Sequence, residues 1–136
     1  MKKVYVAHPY GGKEENKQYV ENIILALTKK YQNILFISPI HALGYLYTAL
    51  DYDKGMEYCY ALLEGCDELL LCEGWGASTG CSRENVFATD NDIPIKYCVY
   101  IGDDEYTICP VSLTTPYTQC MHYRKNKCTV MESIYD

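Results

Sequence analysis

Apolar residues along the chain come in short runs separated by longer amphipathic stretches. Residues 3–7 form a strand-like run that breaks at His8-Pro9-Tyr10-Gly11-Gly12. Residues 13–30 carry helical spacing, with Tyr19, Ile23, Ala26 and Leu27 on one face and with Lys29 and Lys30 suited to the negative end of the helix dipole. A second strand is predicted over 34–38, ending before Pro39, and residues 40–50 read as a loop with a helical turn. A second helix covers 53–65, with Asp51 or Asp53 near its start and Met56, Tyr60 and Leu63 along one face. A third strand over 68–72 leads through a Gly/Ser/Thr-rich loop, 74–80, into a third helix over 81–91 and then a fourth strand over 95–101. Beyond Gly102 the helical period is lost; a turn at Asp103-Asp104-Glu105 precedes a stretch that can supply a fifth strand and a C-terminal arm.

Strands alternating with helices imply right-handed crossovers and a mostly parallel sheet covered on both faces, the α/β class. Ligands of such sheets bind beyond the carboxyl ends of the strands. That rule selects three loops, after Ala7, after Ser38 and after Cys72, and these carry the least ordinary residues of the chain.

Composition narrows the functional classes. A chain of 136 residues suits one domain, 1–136, with 102–136 as a C-terminal extension. Twelve basic residues against 18 acidic ones give a net charge of −6, which argues against a nucleic-acid polymer as partner, since no large basic field exists to displace counterions. A small nucleotide stays open, because a few backbone amides can hold a phosphate. No apolar stretch approaches the roughly 18–20 residues of a membrane span, so no membrane is expected. Residues 1–10 have a brief basic start but lack the apolar core of a secretion signal, and a cytoplasmic location is expected. The 15 tyrosines, apolar in body and polar at the tip, suit a wet cleft or a subunit interface.

Cys59, Cys66, Cys72 and Cys98 lie inside apolar runs and read as small buried hydrophobes, and no C-x-x-C pair occurs, consistent with reduced thiols. Cys109, Cys120, His122 and Cys128 are separated by ten, one and five residues, which fits no standard zinc pattern. No metal and no organic cofactor is expected.

The chemistry concentrates in Gly74-Trp75-Gly76-Ala77-Ser78-Thr79-Gly80-Cys81-Ser82-Arg83-Glu84, which follows a buried strand and opens a helix. Glycines let a ligand approach the backbone, free amides at the helix start favour an anion, and Ser78, Thr79 and Ser82 add hydroxyls. No Lys-Ser/Thr follows the glycines, so this is not a Walker loop. Glu84 lies one turn beyond Gly80, and helix side chains lean N-terminally, so its carboxylate can point back into the same cleft. Taken alone, Glu84 reads equally as a first-turn acid stabilised by the helix dipole. Asp53 reads as a helix-start acid, and Asp67 as ordering the turn before its strand. Arg83 beside Glu84 can favour the ionised carboxylate or bind a phosphate.

The string Tyr5-x-Ala7-x-Pro9-Tyr10, then Cys66-Asp67-Glu68, then Ser78-x-Gly80-x-x-x-Glu84-x-x-x-Ala88 and Ile93-Pro94-Ile95 resembles the nucleoside 2-deoxyribosyltransferase superfamily, which includes deoxynucleoside monophosphate N-glycosidases. The resemblance spans residues 2 to about 99. It implies a flavodoxin-like (Rossmann-like) three-layer sandwich. It also implies an enzyme, a homodimer or higher homo-oligomer, that cleaves the N-glycosidic bond of a nucleoside or nucleotide. Glu84 would be the nucleophile, Tyr5 would lie beside it, and Asp53, with Asp51 as second choice, or a histidine would assist departure of the base. Gly76, Ser78, Thr79, Gly80 and Ser82 would hold sugar hydroxyls or a phosphate, with Arg83, His8, Pro9, Tyr10 and His41 on the ligand face. The sequence departs from the family at Val86, where a glycine is usual, and at His8 and His41, where many members have smaller or apolar residues. A non-catalytic nucleotide-binding protein, a sensor or a sequestering protein, would use the same loop with Glu84 only hydrogen-bonding a ribose.

Overall fold

The computed structural model describes residues 1–111 and the backbone of a short ribbon at 123–124 and 127–128. Along the chain run β1 (Lys2–Ala7), α1 (Glu14–Lys30), β2 (Ile34–Ile37), α2 (Pro39–Leu43), α3 (Tyr52–Glu64), β3 (Glu68–Leu71), α4 (Thr79–Asp90), β4 (Ile95–Gly102) and β5 (Glu105–Cys109), with 3-10 turns at Gly44–Leu46 and Trp75–Ala77. The ribbon pairs β6 (Tyr123–Arg124) with β7 (Lys127–Cys128). Cys120 and His122 of the rejected zinc pattern lie outside the described residues.

The fold is α/β. Its sheet has five strands in the order β2-β1-β3-β4-β5, parallel throughout except for the antiparallel β4–β5 pair. β3 reads Glu-Leu-Leu-Leu and is buried at every residue, as expected of a central parallel strand with no face in water. Alternate residues serve two separate cores. Val4, Val6 and Leu70 pack with Ile23 and Leu27 of α1, whereas Tyr5, Ala7 and Leu69 pack with Leu63 of α3 and Ala88 of α4.

The caps explain where the helices start. Ser38 caps α2, its Oγ accepting from the His41 amide at 3.2 Å, and Pro39 supplies a preset φ at the first helical position. The predicted loop at 40–50 is therefore part helix. Asp51, rather than Asp53, caps α3, with Oδ1 accepting from the Lys54 amide at 2.8 Å. Ser78 caps α4 through the Cys81 amide at 3.3 Å, so this helix begins at Thr79, two residues before the predicted start. On α1 the buried stripe is Val20, Ile23 and Leu27. Tyr19, expected on that face, is 57% exposed, because one step of the helix turns it away from the stripe and places its ring beside His8.

Three strands are tied together at the opposite end of the sheet from the predicted ligand loops. Glu68 of β3, 3% exposed, accepts from Lys2 Nζ of β1 at 2.8 Å and from Lys96 Nζ of β4 at 2.7 Å. Asp67 beside it accepts from the Lys3 amide at 2.8 Å, the turn-ordering role its position implies. Cys66, Cys72, Cys81 and Cys98 are buried free thiols and Cys109 is buried; Cys59, expected with the core, is only partly covered. Among the described residues no helix is long and apolar enough to cross a membrane.

Candidate active site

A cavity of ≈ 980 Å³ opens beyond the carboxyl ends of β1, β2 and β3. All three predicted loops contribute to it: His8, Pro9 and Tyr10 after β1, Pro39 and Ile40 after β2, and Gly74, Ser78 and Thr79 after β3. Its size lies at the upper end for a small-molecule site.

Glu84 lies on its wall at 5% exposure, one turn into α4. Tyr5 of β1 lies directly behind it and is fully buried. Burial raises the Glu84 carboxyl to about 7, and the adjoining Tyr5 phenol offsets part of that rise. Burial, and then the Glu84 charge, push the Tyr5 phenol well above its ordinary value. The two groups interact electrostatically, yet neither Tyr5 Oη nor Glu84 Oε2 has a hydrogen-bond partner of good geometry among the described residues. Two unsatisfied polar atoms, one on a cavity wall and one directly behind it, are costly and are uncommon in a region that serves only packing. Tyr5→Phe is expected to move the Glu84 midpoint further above 7 and, by linkage, to lower stability above that pH while leaving it nearly unchanged below 4.5, where the carboxyl is protonated in both states. Carboxyl titration by NMR reads both the direction and the residue.

Glu84 does not owe its state to Arg83. The Arg83 guanidinium turns away to Asp53 Oδ1, 2.8 Å distant, and stacks 5.1 Å over the Tyr52 ring. This pairing places two of the predicted site residues. Arg83 touches the cavity but its charge is engaged outside it, and Asp53 is a surface acid, 85% exposed, that does not line the cavity. The reason is the cap: with Asp51 at the N-cap position, Asp53 falls on the outer face of the first turn.

Of the other predicted residues, His8, Pro9, Tyr10, Ser78, Thr79 and Gly80 line the cavity, whereas His41, Gly76 and Ser82 do not. His41 faces Ser38 Oγ at 2.8 Å and Glu21 at 3.6 Å. Ser82 Oγ donates back to the Trp75 carbonyl at 3.4 Å, so it braces the loop instead of offering a hydroxyl to a ligand. Gly74 holds φ +87°, and a Cβ there would stand 3.4 Å from Pro9 Cγ. Gly74→Ala is therefore expected to cost about 1–2 kcal/mol through left-handed backbone strain, read by urea denaturation. Gly80 permits the approach of α4 to α3, since a Cβ there would meet Tyr52 Oη at 3.0 Å.

Sequence reasoning missed the contribution of α3. Tyr52, Met56 and Cys59 all line the cavity, and their i, i+4, i+7 spacing was the available signal. Cys59 sits beside Tyr5 and Glu84, and burial followed by the Glu84 charge pushes its thiol up to about 11, so it is a neutral wall group and not a nucleophile. Among the described residues no cluster of three or more His, Cys, Asp or Glu side chains could hold a metal.

Fold and site together define an α/β protein with a mostly parallel sheet whose ligand cavity, at the strand carboxyl ends, carries a buried carboxyl. More particularly, the chain belongs to the family described as domain of unknown function (DUF4406), whose profile matches residues 2–97. No curated protein and no solved structure matches the chain.

Proposed function

We propose that the protein is an N-glycosidase or deoxyribosyltransferase acting on a nucleoside or nucleotide. The observation that carries this reading is the Glu84 carboxyl, buried on the cavity wall, unpartnered at Oε2 and backed by the unpartnered Tyr5 hydroxyl. The ionised carboxylate attacks the anomeric carbon while the bond to the base nitrogen breaks and its electron pair leaves with the base. Water, or a second base, then displaces Glu84 from that carbon. A partly desolvated carboxylate is a stronger nucleophile than a hydrated one, which gives the burial a chemical use. The resemblance of the Ser78-x-Gly80-x-x-x-Glu84 string to the deoxyribosyltransferases, a flavodoxin-like three-layer arrangement of the sheet and its helices, and a homo-oligomeric cytoplasmic enzyme belong to the same proposal. The exposed Tyr45, Tyr47, Tyr52 and Tyr58 supply apolar surface that a neighbouring subunit could cover.

The experiment is release of free base from a panel of nucleosides and their 5'-monophosphates across pH. Because attack needs the ionised form, kcat/KM is expected to rise with pH and level off above about 7. A rate that instead falls above 7 assigns Glu84 as proton donor. A second reading, a nucleotide-binding protein without turnover, draws on the position of Asp53, since this first-choice acid for assisting the leaving base stands outside the cavity, although the second choice, Asp51, lines it. Binding of the panel with no base released at any pH selects that reading.

A further inference from the structure

His8 follows β1 directly and lines the same cavity as Glu84. Its Nδ1 stands 2.7 Å from the Pro9 carbonyl oxygen. A carbonyl oxygen can only accept, so Nδ1 must carry the hydrogen. In the neutral ring Nε2 is then a lone-pair acceptor, with no hydrogen-bond partner among the described residues. Burial lowers the His8 pKa, only partly countered by the Pro9 contact, which keeps the ring neutral near pH 7. The Tyr19 ring lies beside it, its centroid 6.5 Å away. A tautomer fixed by the Pro9 carbonyl makes Nε2 a directional acceptor.

His8 lies three residues beyond Tyr5, just past the end of β1, and lines the cavity together with Glu84, so a ligand held at the carboxyl shares its space with the imidazole. An acceptor also repels the oxygens of a phosphate, which the imidazolium form would attract.

Resting on the glycosidase reading for the identity of the ligand, we propose that His8, with Nδ1–H tied to the Pro9 carbonyl, offers its Nε2 lone pair to an O–H or N–H of the substrate and is the specificity-determining residue of this cavity. The ligand class is a nucleoside that turns a hydrogen-bond donor, a sugar hydroxyl or an exocyclic amine, toward β1. A substrate with a bare acceptor or a phosphate at that point is rejected, because Nε2 would be left buried and unpaired.

The test is a cycle between protein and ligand, measured as Kd by calorimetry on Glu84→Gln so that nothing turns over. The probes are the four parent 2'-deoxynucleosides, their 5'-monophosphates, 2',3'-dideoxyadenosine, which lacks a hydroxyl, and purine 2'-deoxyriboside, which lacks the amine. Adding His8→Leu is expected to weaken the best parent about tenfold or more while leaving one of the two truncated analogues unchanged. The unchanged analogue identifies the hydroxyl or the amine as the donor. His8→Gln, whose amide oxygen can accept, is expected to restore part of the loss; a purely structural histidine would not give that ligand-dependent rescue. Equal weakening of the parent, both analogues and the monophosphates overturns the proposal, as does a loss confined to the monophosphates, which would make His8 an anion site; a loss shared by the parent and both analogues but absent from the monophosphates assigns the 5'-hydroxyl as the donor. Base release by the unmodified enzyme is scored separately. Coupling without release sinks the glycosidase reading and keeps this inference, release without coupling does the reverse, and failure of every probe to bind removes both.

Discussion

Glu84→Gln is expected to lose base release by at least about a thousandfold while remaining folded, because the amide keeps the shape of the carboxyl but cannot form the bond to the anomeric carbon. The same substitution is expected to change the pH dependence of stability. The Glu84 carboxyl titrates at about 7 in the folded chain against an ordinary value of 4.5. Below 4.5 it is protonated in both states and contributes no difference. Between 4.5 and about 7 the unfolded chain releases this proton while the folded chain retains it, so stability falls as pH rises. Above about 7 the penalty is complete, at about 3 kcal/mol. The variant has no such group and should lack that decline, so urea midpoints of the two proteins should diverge from pH 4.5 upward in favour of the variant. A carboxyl kept for structure would give the opposite result, with the variant less stable at every pH. Parallel midpoints together with lost base release would mean that Glu84 is catalytic but ionises normally.

Glu68→Ala is expected to produce the largest loss of stability of the substitutions considered, about 3 kcal/mol or more, with no specific effect on the cavity. Glu68 is nearly inaccessible and holds two ammonium groups from two neighbouring strands. Removing it leaves Lys96, only 13% exposed at its side chain, beside Lys2 with the bridging charge gone. Chemical denaturation measures the loss, and base release per folded molecule should be unchanged, because the cluster sits at the amino ends of the strands and the cavity at their carboxyl ends. Glu68→Leu offers a contrast: it refills the space but not the charge between the two ammonium groups, so it should recover only the packing part of the loss.

The contrast between Glu84 and Glu68 shows why one part of the site was legible and another was not. Both acids are buried, and nothing local in the sequence reveals the burial of either. Glu68 looked like the polar start of an apolar strand, yet its burial depends on Lys2 and Lys96, distant in the chain, arriving within 2.8 and 2.7 Å. Glu84 was legible as a candidate because its turn follows a glycine-rich loop behind an apolar strand. Its raised proton affinity was not, because desolvation is set by what α3 and β1 place around it. That Arg83 does not set the Glu84 charge was illegible for the same kind of reason. Adjacency along a helix puts Arg83 and Glu84 about 100° apart, and Arg83 met Asp53 of α3 on the outside.

The sequence by itself determined the alternation of elements, the parallel core strands and the three loops at one end of the sheet, because those follow from hydrophobic period and turn residues acting over a few positions. Tertiary structure alone decided which acid was capped, paired or left bare. Asp51 became a cap, Asp53 a surface ion pair, Glu68 the knot of three strands and Glu84 an unpaired carboxyl on a cavity wall. The free energy of a charge depends on its surroundings through solvation and through partners that are far apart along the chain, so chemically identical side chains acquire their roles only when the chain closes around them.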